Sequence, residues 1–278
     1  MISAVGGHWP EYMIEAGLLG AFMASACVCV VCVQHPASPV RARIASGLLR
    51  RAIVGILMGA TAIGLIYSAW GQRSGAHMNP GVTLSYLALG KIGAWDAVFY
   101  VAAQFLGGYS GVVASGLLIG RAVRHESVNF VVTAPGRRGL GAAWAAEFVI
   151  AFILMLVVLA MTNRGATAPY AGVGAGVLVS IFITLEAPFS GMSINPARTL
   201  ASALAARSYR GLWIYFTAPP LAMLCAAGLY SAAVGTVYCA KMSHGDGHRC
   251  IFRCEVERMP GSPAIPAAPV GIRHAGAP

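Results

Sequence analysis

Charge is what this sequence has least of. Of its 278 residues only 10% are Asp, Glu, Lys or Arg, and nine in all are acidic, where an ordinary soluble domain is about a quarter charged. A chain this poor in charge cannot cover a water-facing surface of its own size. Apolar runs of about 20 residues are long enough to cross roughly 30 Å of hydrocarbon, and there are too many of them here for one soluble core. The charge that is present makes no nucleic-acid footprint. The net +10 comes from Lys and Arg scattered singly or in pairs through connectors and the tail, not along one face interleaved with aromatics. No Lys or Arg occurs in the first eleven residues, so the basic flank of a secretory leader is missing. The apolar runs hold no nucleophile–base pairing and no metal-ligand spacing, so an enzyme is the least expected class and no cofactor is implied.

Cysteine is present but does not organise the chain. Cys27, Cys29, Cys32 and Cys225 lie inside apolar runs and Cys239 at the end of one, where a thiol behaves as a small hydrophobe. His244, His248, Cys250 and Cys254 are a loose set of metal ligands in the tail. They match no recognised zinc spacing, so they are read as happenstance and no metal is assigned.

Apolar windows place six spanning helices at about 12–33, 52–70, 97–119, 142–162, 171–189 and 212–237. These make one membrane unit, 1–240, with halves of about 12–125 and 140–238. From 241 to 278 the chain turns polar, then rich in Pro, Gly and Ala, which predicts a disordered tail. Two shorter segments stand outside the count of six. Residues 74–84 and 190–200 match at six of eleven positions, without a gap and at an offset of 116. A match of that length at the same place in two three-span halves indicates an internal repeat. Three spans is an odd number, so the second half is inverted relative to the first.

The core of each repeated segment is an Asn-Pro pair: Asn79-Pro80-Gly81 and Asn195-Pro196-Ala197. Asn is a strong helix N-cap, and Pro suits the first helical position because its missing N–H would be unpaired there anyway. Each pair therefore starts a helix, over about 80–88 and 196–205. At 1.5 Å per residue each is about half a bilayer long. Two such helices entering from opposite faces meet with their N-termini at the midplane. The non-helical backbone before each must face protein or a water-filled cavity. Carbonyl acceptors leading to two amide donors form a path for a small hydrogen-bonding solute, and the two positive helix ends repel cations.

The paired motifs resemble the Asn-Pro-Ala boxes of the aquaporin, or major intrinsic protein, family. Ser74-Gly75-Ala76-His77 resembles the family's first re-entrant loop, Ala103-Gln104-Phe105-Leu106-Gly107 its third span and Trp213-Ile214-Tyr215-Phe216 with Pro219 its sixth, and the likeness covers about 12–238. The resemblance implies an all-α membrane protein of six transmembrane helices plus two re-entrant half-helices in an inverted repeat. It implies a passive channel for water or small uncharged solutes, a homotetramer in the bilayer, and both termini on the cytoplasmic side of the cell membrane. The basic residues lean the other way: eight Lys and Arg fall on the terminal side and eleven on the opposite one, a mild positive-inside vote for termini outside. Family spacing assigns the selectivity filter to Arg198, Met192, Ile183 and Gly59, with Met58 as the alternative one residue away. A glycine there implies a wide constriction, and Met192 and Ile183 an apolar one. The bulky aromatic and fifth-span histidine of strict water pores are lacking, so small neutral solutes are expected alongside or instead of water. Glu15 and Glu147 match the family's duplicated glutamates and are read as structural acceptors for loop amides. Glu186, three residues after Ile183 and so on the same helical face, is placed in an outer vestibule. The rival class is an ion-coupled secondary transporter, which also uses inverted repeats and broken helices.

Overall fold

The computed structural model describes residues 2–244 and 250–261, and these are helix and connecting segment without strand. Eight helices carry the architecture: α1 (Ile2–Gln34), α2 (Gly47–Tyr67), α3 (Pro80–Ala88), α4 (Ala94–Leu118), α5 (Leu140–Thr162), α6 (Ala171–Leu185), α7 (Pro196–Ala206) and α8 (Leu212–Val234). All but α3 and α7 are long and apolar enough to cross a membrane, α6 together with the turn before it, Ala168–Leu185. Those two, at 9 and 11 residues, are about 14 and 17 Å long. Large apolar side chains on the outer faces stay exposed, Leu106, Leu117 and Leu118 among them. That is the pattern of a bundle whose solvent is lipid.

Two of the spans that end earlier than the apolar windows suggest do so for clear local reasons. After Tyr67 the Ser68 hydroxyl accepts the Gly71 N–H and caps a separate short helix, Ala69–Ser74. After Leu185, Pro188 has no N–H to return to the Thr184 carbonyl. That carbonyl accepts from Arg51 Nε instead, at 3.2 Å, and a second short helix, Ala187–Ser190, follows.

The repeat is inverted in its packing. α1 lies on α4 as α5 lies on α8, α7 lies on α4 as α3 lies on α8, and α2 meets its counterpart α6. Glycines set the close crossings. A methyl group on Gly107 would fall 2.0 Å from the Ala16 carbonyl oxygen, and one on Gly111 2.2 Å from that of Gly20, so α1 and α4 touch backbone to backbone. Gly55, Gly59 and Gly176 do the same for α2 against α6. Small residues at such crossings are how helices gain contact in lipid, where no hydrophobic drive brings them together.

The segment after α8 departs from expectation. Composition predicts disorder from residue 241, yet Met242, Phe252, Val256 and Met259 are buried against the helical body. Tyr238 N–H donates to Asn163 Oδ1 at 2.6 Å, and Glu255 N–H to the Tyr238 carbonyl at 2.7 Å. Lys91 Nζ stands 2.7 Å from Glu255 Oε2. That hydrogen bond, and then the ammonium charge, hold the Glu255 carboxyl below its ordinary range. The compositional rule fails because four well-spaced apolar side chains anchor an otherwise polar stretch. His248 and residues 262–278 lie outside the described residues.

Candidate functional site

The loops before α3 and α7 trace the same path. Gly75 and Gly191 both sit in the left-handed region, at φ 90° and 85°, and reverse the chain out of each short helix. Ala76 and Met78 in the first loop, and Met192 and Ile194 in the second, also have positive φ, between 47° and 60°. Left-handed backbone costs a non-glycine residue roughly 1–2 kcal/mol, so something must hold the loops open. Two fully buried carboxylates do so. Glu15 accepts from Ser74 Oγ at 2.9 Å, His77 N at 3.0 Å, Met78 N at 2.7 Å and Gln104 Nε2 at 3.0 Å. Glu147 accepts from Ser190 Oγ at 2.6 Å and from Ser193 N and Ile194 N at 2.7 Å. Tyr100 and Tyr215 complete the symmetry by donating to the Ser74 and Ser190 carbonyls. The tyrosine pair was not anticipated, though the two lie within one position of the 116-residue offset.

The carboxylates deliver both asparagines to one point. Asn79 Nδ2 donates to the Ile194 carbonyl at 2.9 Å, and Asn195 Nδ2 to the Met78 carbonyl at 2.7 Å. Each cap thus bonds the loop that leads to the other. Asn79 Oδ1 accepts the Gly81 N–H, and Asn195 Oδ1 accepts those of Ala197 and Arg198, so both amides are fixed with one N–H each still to offer. Pro80 and Pro196 occupy the first helical positions. Gly81 is where the first box departs from Ala, and a methyl group there would stand 2.7 Å from Met223 Sδ. The thioether fills the space that Ala would use.

A cavity of about 330 Å³ runs past this junction. Asn79 and Asn195 line its waist. Arg198, Met192, Ile183 and Met58 also line it, as do His77 and Met242. Its titratable lining groups among the described residues are Arg51, His77 and Arg198.

Two expected site residues lie elsewhere. Gly59 is off the lining, because its α-carbon faces α6, where a methyl group would be 2.4 Å from the Gly176 carbonyl oxygen. Met58, one residue earlier, lines the cavity in its place. Glu186 is not in a vestibule. It ends α6, is buried off the cavity, and neither carboxylate oxygen finds a donor among the described residues. The sequence offers His77 only as part of a loop motif, yet the fold holds it by both ring nitrogens and both ring faces. Its Nε2–H donates to the Ala240 carbonyl at 2.8 Å, leaving Nδ1 to face the Thr83 hydroxyl at 3.0 Å. Its ring is stacked between Tyr86 and Phe252, with centroids 5.2 and 5.3 Å away.

Six apolar spans and two half-helices opposed end to end at an internal cavity define a polytopic membrane protein built on an inverted repeat with re-entrant segments. The chain belongs to the major intrinsic protein family, whose model matches residues 16–230. It is 39% identical over 172 residues to aquaporin NIP6-1 of Arabidopsis thaliana, covering 61% of this chain and 54% of that protein. It is 37% identical over 173 residues to aquaporin NIP3-1 of Oryza sativa subsp. japonica, covering 62% of this chain and 54% of that protein. The chain thus spans about half the length of these curated relatives. Its fold is similar to that of the aquaglyceroporin from Plasmodium falciparum, at TM-score 0.69 and 18% identity, over 82% of this chain and 97% of that one.

Proposed function

We propose that the chain is a passive channel that conducts small uncharged solutes, water among them, and excludes protons and ions. The observation that carries this reading is the crossed pair of hydrogen bonds between Asn79, Asn195 and the opposing loops. It presents two amide donors and two positive helix ends at one waist, where a neutral solute can trade hydrogen bonds and a cation is repelled. The aquaporin and aquaglyceroporin relatives support the same class. An ion-coupled transporter would need an ionisable group to carry the coupling ion near the midplane, and no carboxylate lines the cavity among the described residues.

The filter in this proposal is Arg198 with Met58, Ile183 and Met192. One cation among three apolar side chains favours a neutral solute larger and less polar than water, such as glycerol or urea. Glu15 and Glu147 are positioning groups for the two loops. By family likeness the protein is a homotetramer in the cell membrane with both termini cytoplasmic.

The test is stopped-flow light scattering of proteoliposomes under gradients of water, glycerol and urea. Arg198→Val should raise the glycerol rate between about threefold and tenfold, the effect of lowering one barrier by about 0.7–1.4 kcal/mol. Flux that matches empty vesicles for all three solutes, both with and without a divalent-metal chelator, would overturn the reading.

A further inference from the structure

After Val234 the chain turns at Gly235 and presents four ligand-type side chains: Cys239, His244, Cys250 and Cys254. Along the sequence their spacing is irregular, with four, five and three residues between them. In the fold their ligand atoms all lie within 4.8 Å of one another. Cys239 Sγ is 3.6 Å from Cys250 Sγ, and Cys254 Sγ is 3.6 Å from His244 Nε2. Four donors in a tetrahedron around one zinc ion, with Zn–S of about 2.3 Å and Zn–N of about 2.0–2.1 Å, stand roughly 3.5–3.8 Å apart. A disulfide would draw two of the sulfurs to about 2.05 Å and leave a thiol and an imidazole over, and all seven cysteines are free. Three soft sulfurs and one imidazole with no open polar position are the donor set of a closed structural site for a thiophilic, tetrahedral ion.

The described residues between these ligands, 240–243 and 251–253, pack on the first re-entrant loop at one mouth of the cavity. The Ala240 carbonyl accepts the hydrogen bond of His77 Nε2–H, and Met242 N–H donates to the Gly75 carbonyl at 3.2 Å. The Met242 side chain enters the cavity lining. Phe252 stacks on the His77 ring and meets Tyr100 edge-on. Arg253 N–H donates to the Lys91 carbonyl at 3.0 Å. The first re-entrant loop thereby gives its Gly75 carbonyl and His77 Nε2–H to the tail, although His77 lines the cavity. A short polar segment with so few bonds loses much chain entropy on ordering, and a bound ion that cross-links its two ends offsets that loss.

We propose that Cys239, His244, Cys250 and Cys254 bind one zinc-class divalent ion, and that the ion fastens the tail across this mouth and holds the pore closed. The metal site stands on its own geometry; the closing action rests on the channel reading above. Two measurements on the full-length chain separate them. The first is metal content of purified protein by mass spectrometry, with cobalt(II) substituted to report tetrahedral thiolate ligation by its visible absorption. One ion per chain is expected, and Cys254→Ser and His244→Ala should each lower zinc affinity at least about tenfold while eluting as the parent does. Protein that takes up no zinc or cobalt, or in which two tail thiols are found joined as a disulfide after purification under reductant, overturns the site. The second is glycerol flux in proteoliposomes with free zinc or with a zinc chelator. The parent should conduct several-fold faster in chelator, and Cys254→Ser should conduct at the faster rate in both. Equal, measurable flux in the two conditions overturns the closing action and leaves the channel reading standing. No flux from either protein in either condition overturns both, while the metal content still judges the site.

Discussion

Glu147→Leu is expected to abolish recovery of folded, monodisperse protein in detergent. The substitution roughly keeps volume but removes the acceptor for Ser190 Oγ, Ser193 N and Ile194 N, all buried. Each buried donor left unmade costs about 1–3 kcal/mol, so three approach the whole stability of an ordinary protein, about 5–15 kcal/mol. The loop being held is itself under load, since Met192 and Ile194 sit at φ 52° and 60°, so without the carboxylate it has reason to relax. Glu147→Gln separates the charge from the shape. One amide oxygen can still accept, but the amide nitrogen then faces a backbone N–H, donor against donor. A loss of about 2–4 kcal/mol is expected, hence a melting temperature lower by roughly 5–15 °C. Glu15→Gln should behave alike, because its four donors repeat the arrangement. If both Gln proteins melted within a few degrees of the parent, the carboxylates would not be what holds the asparagines at the waist.

The contrast between those loops and the tail shows which physics the sequence exposes. Asn79-Pro80 and Asn195-Pro196 are local signals, since cap and first-turn preferences act within four residues. The half-helices consequently begin where the motifs put them. Their inversion follows from the parity of the spans, and six helices of sufficient length and apolarity are present. The proposed metal-ligand cluster has only a partial local signal, which groups His244, Cys250 and Cys254 with His248 and leaves out Cys239. Cys239 reads as the end of an apolar run, and only the fold returns the chain to place Cys250 within 3.6 Å of it. Phe252 gave no warning either, because a lone aromatic in a polar stretch reveals nothing of the His77 ring it covers. Composition averages over such a segment, whereas a few anchoring side chains decide whether it packs.

Gly59 marks the other boundary of legibility, and it supports a paired prediction. Motif counting along a helix fixes height well and rotation poorly, since one residue is about 100° of turn at 3.6 residues per turn. A slip of one exchanges a side chain in the cavity for one in a helix crossing. Met58 faces the cavity, whereas a methyl group on Gly59 would lie 2.1 Å from Ser180 Oγ and 2.4 Å from the Gly176 carbonyl oxygen. The hydroxyl can rotate away; the carbonyl belongs to the α6 backbone and cannot. Gly59→Ala must therefore push α2 and α6 apart at their closest approach, at a cost of about 1–3 kcal/mol, and Gly59→Leu should yield no folded protein. Met58→Ala should instead leave the crossing intact and widen the proposed filter, with a glycerol rate about tenfold higher for each 1.4 kcal/mol taken from the barrier. Thermal unfolding and solute flux on the same preparations tell the two positions apart. A Gly59→Ala protein with parental melting and altered solute preference, beside a Met58→Ala protein with unchanged flux, would return the filter to Gly59. The wide constriction that the glycine implied would then replace the narrower, thioether-lined one.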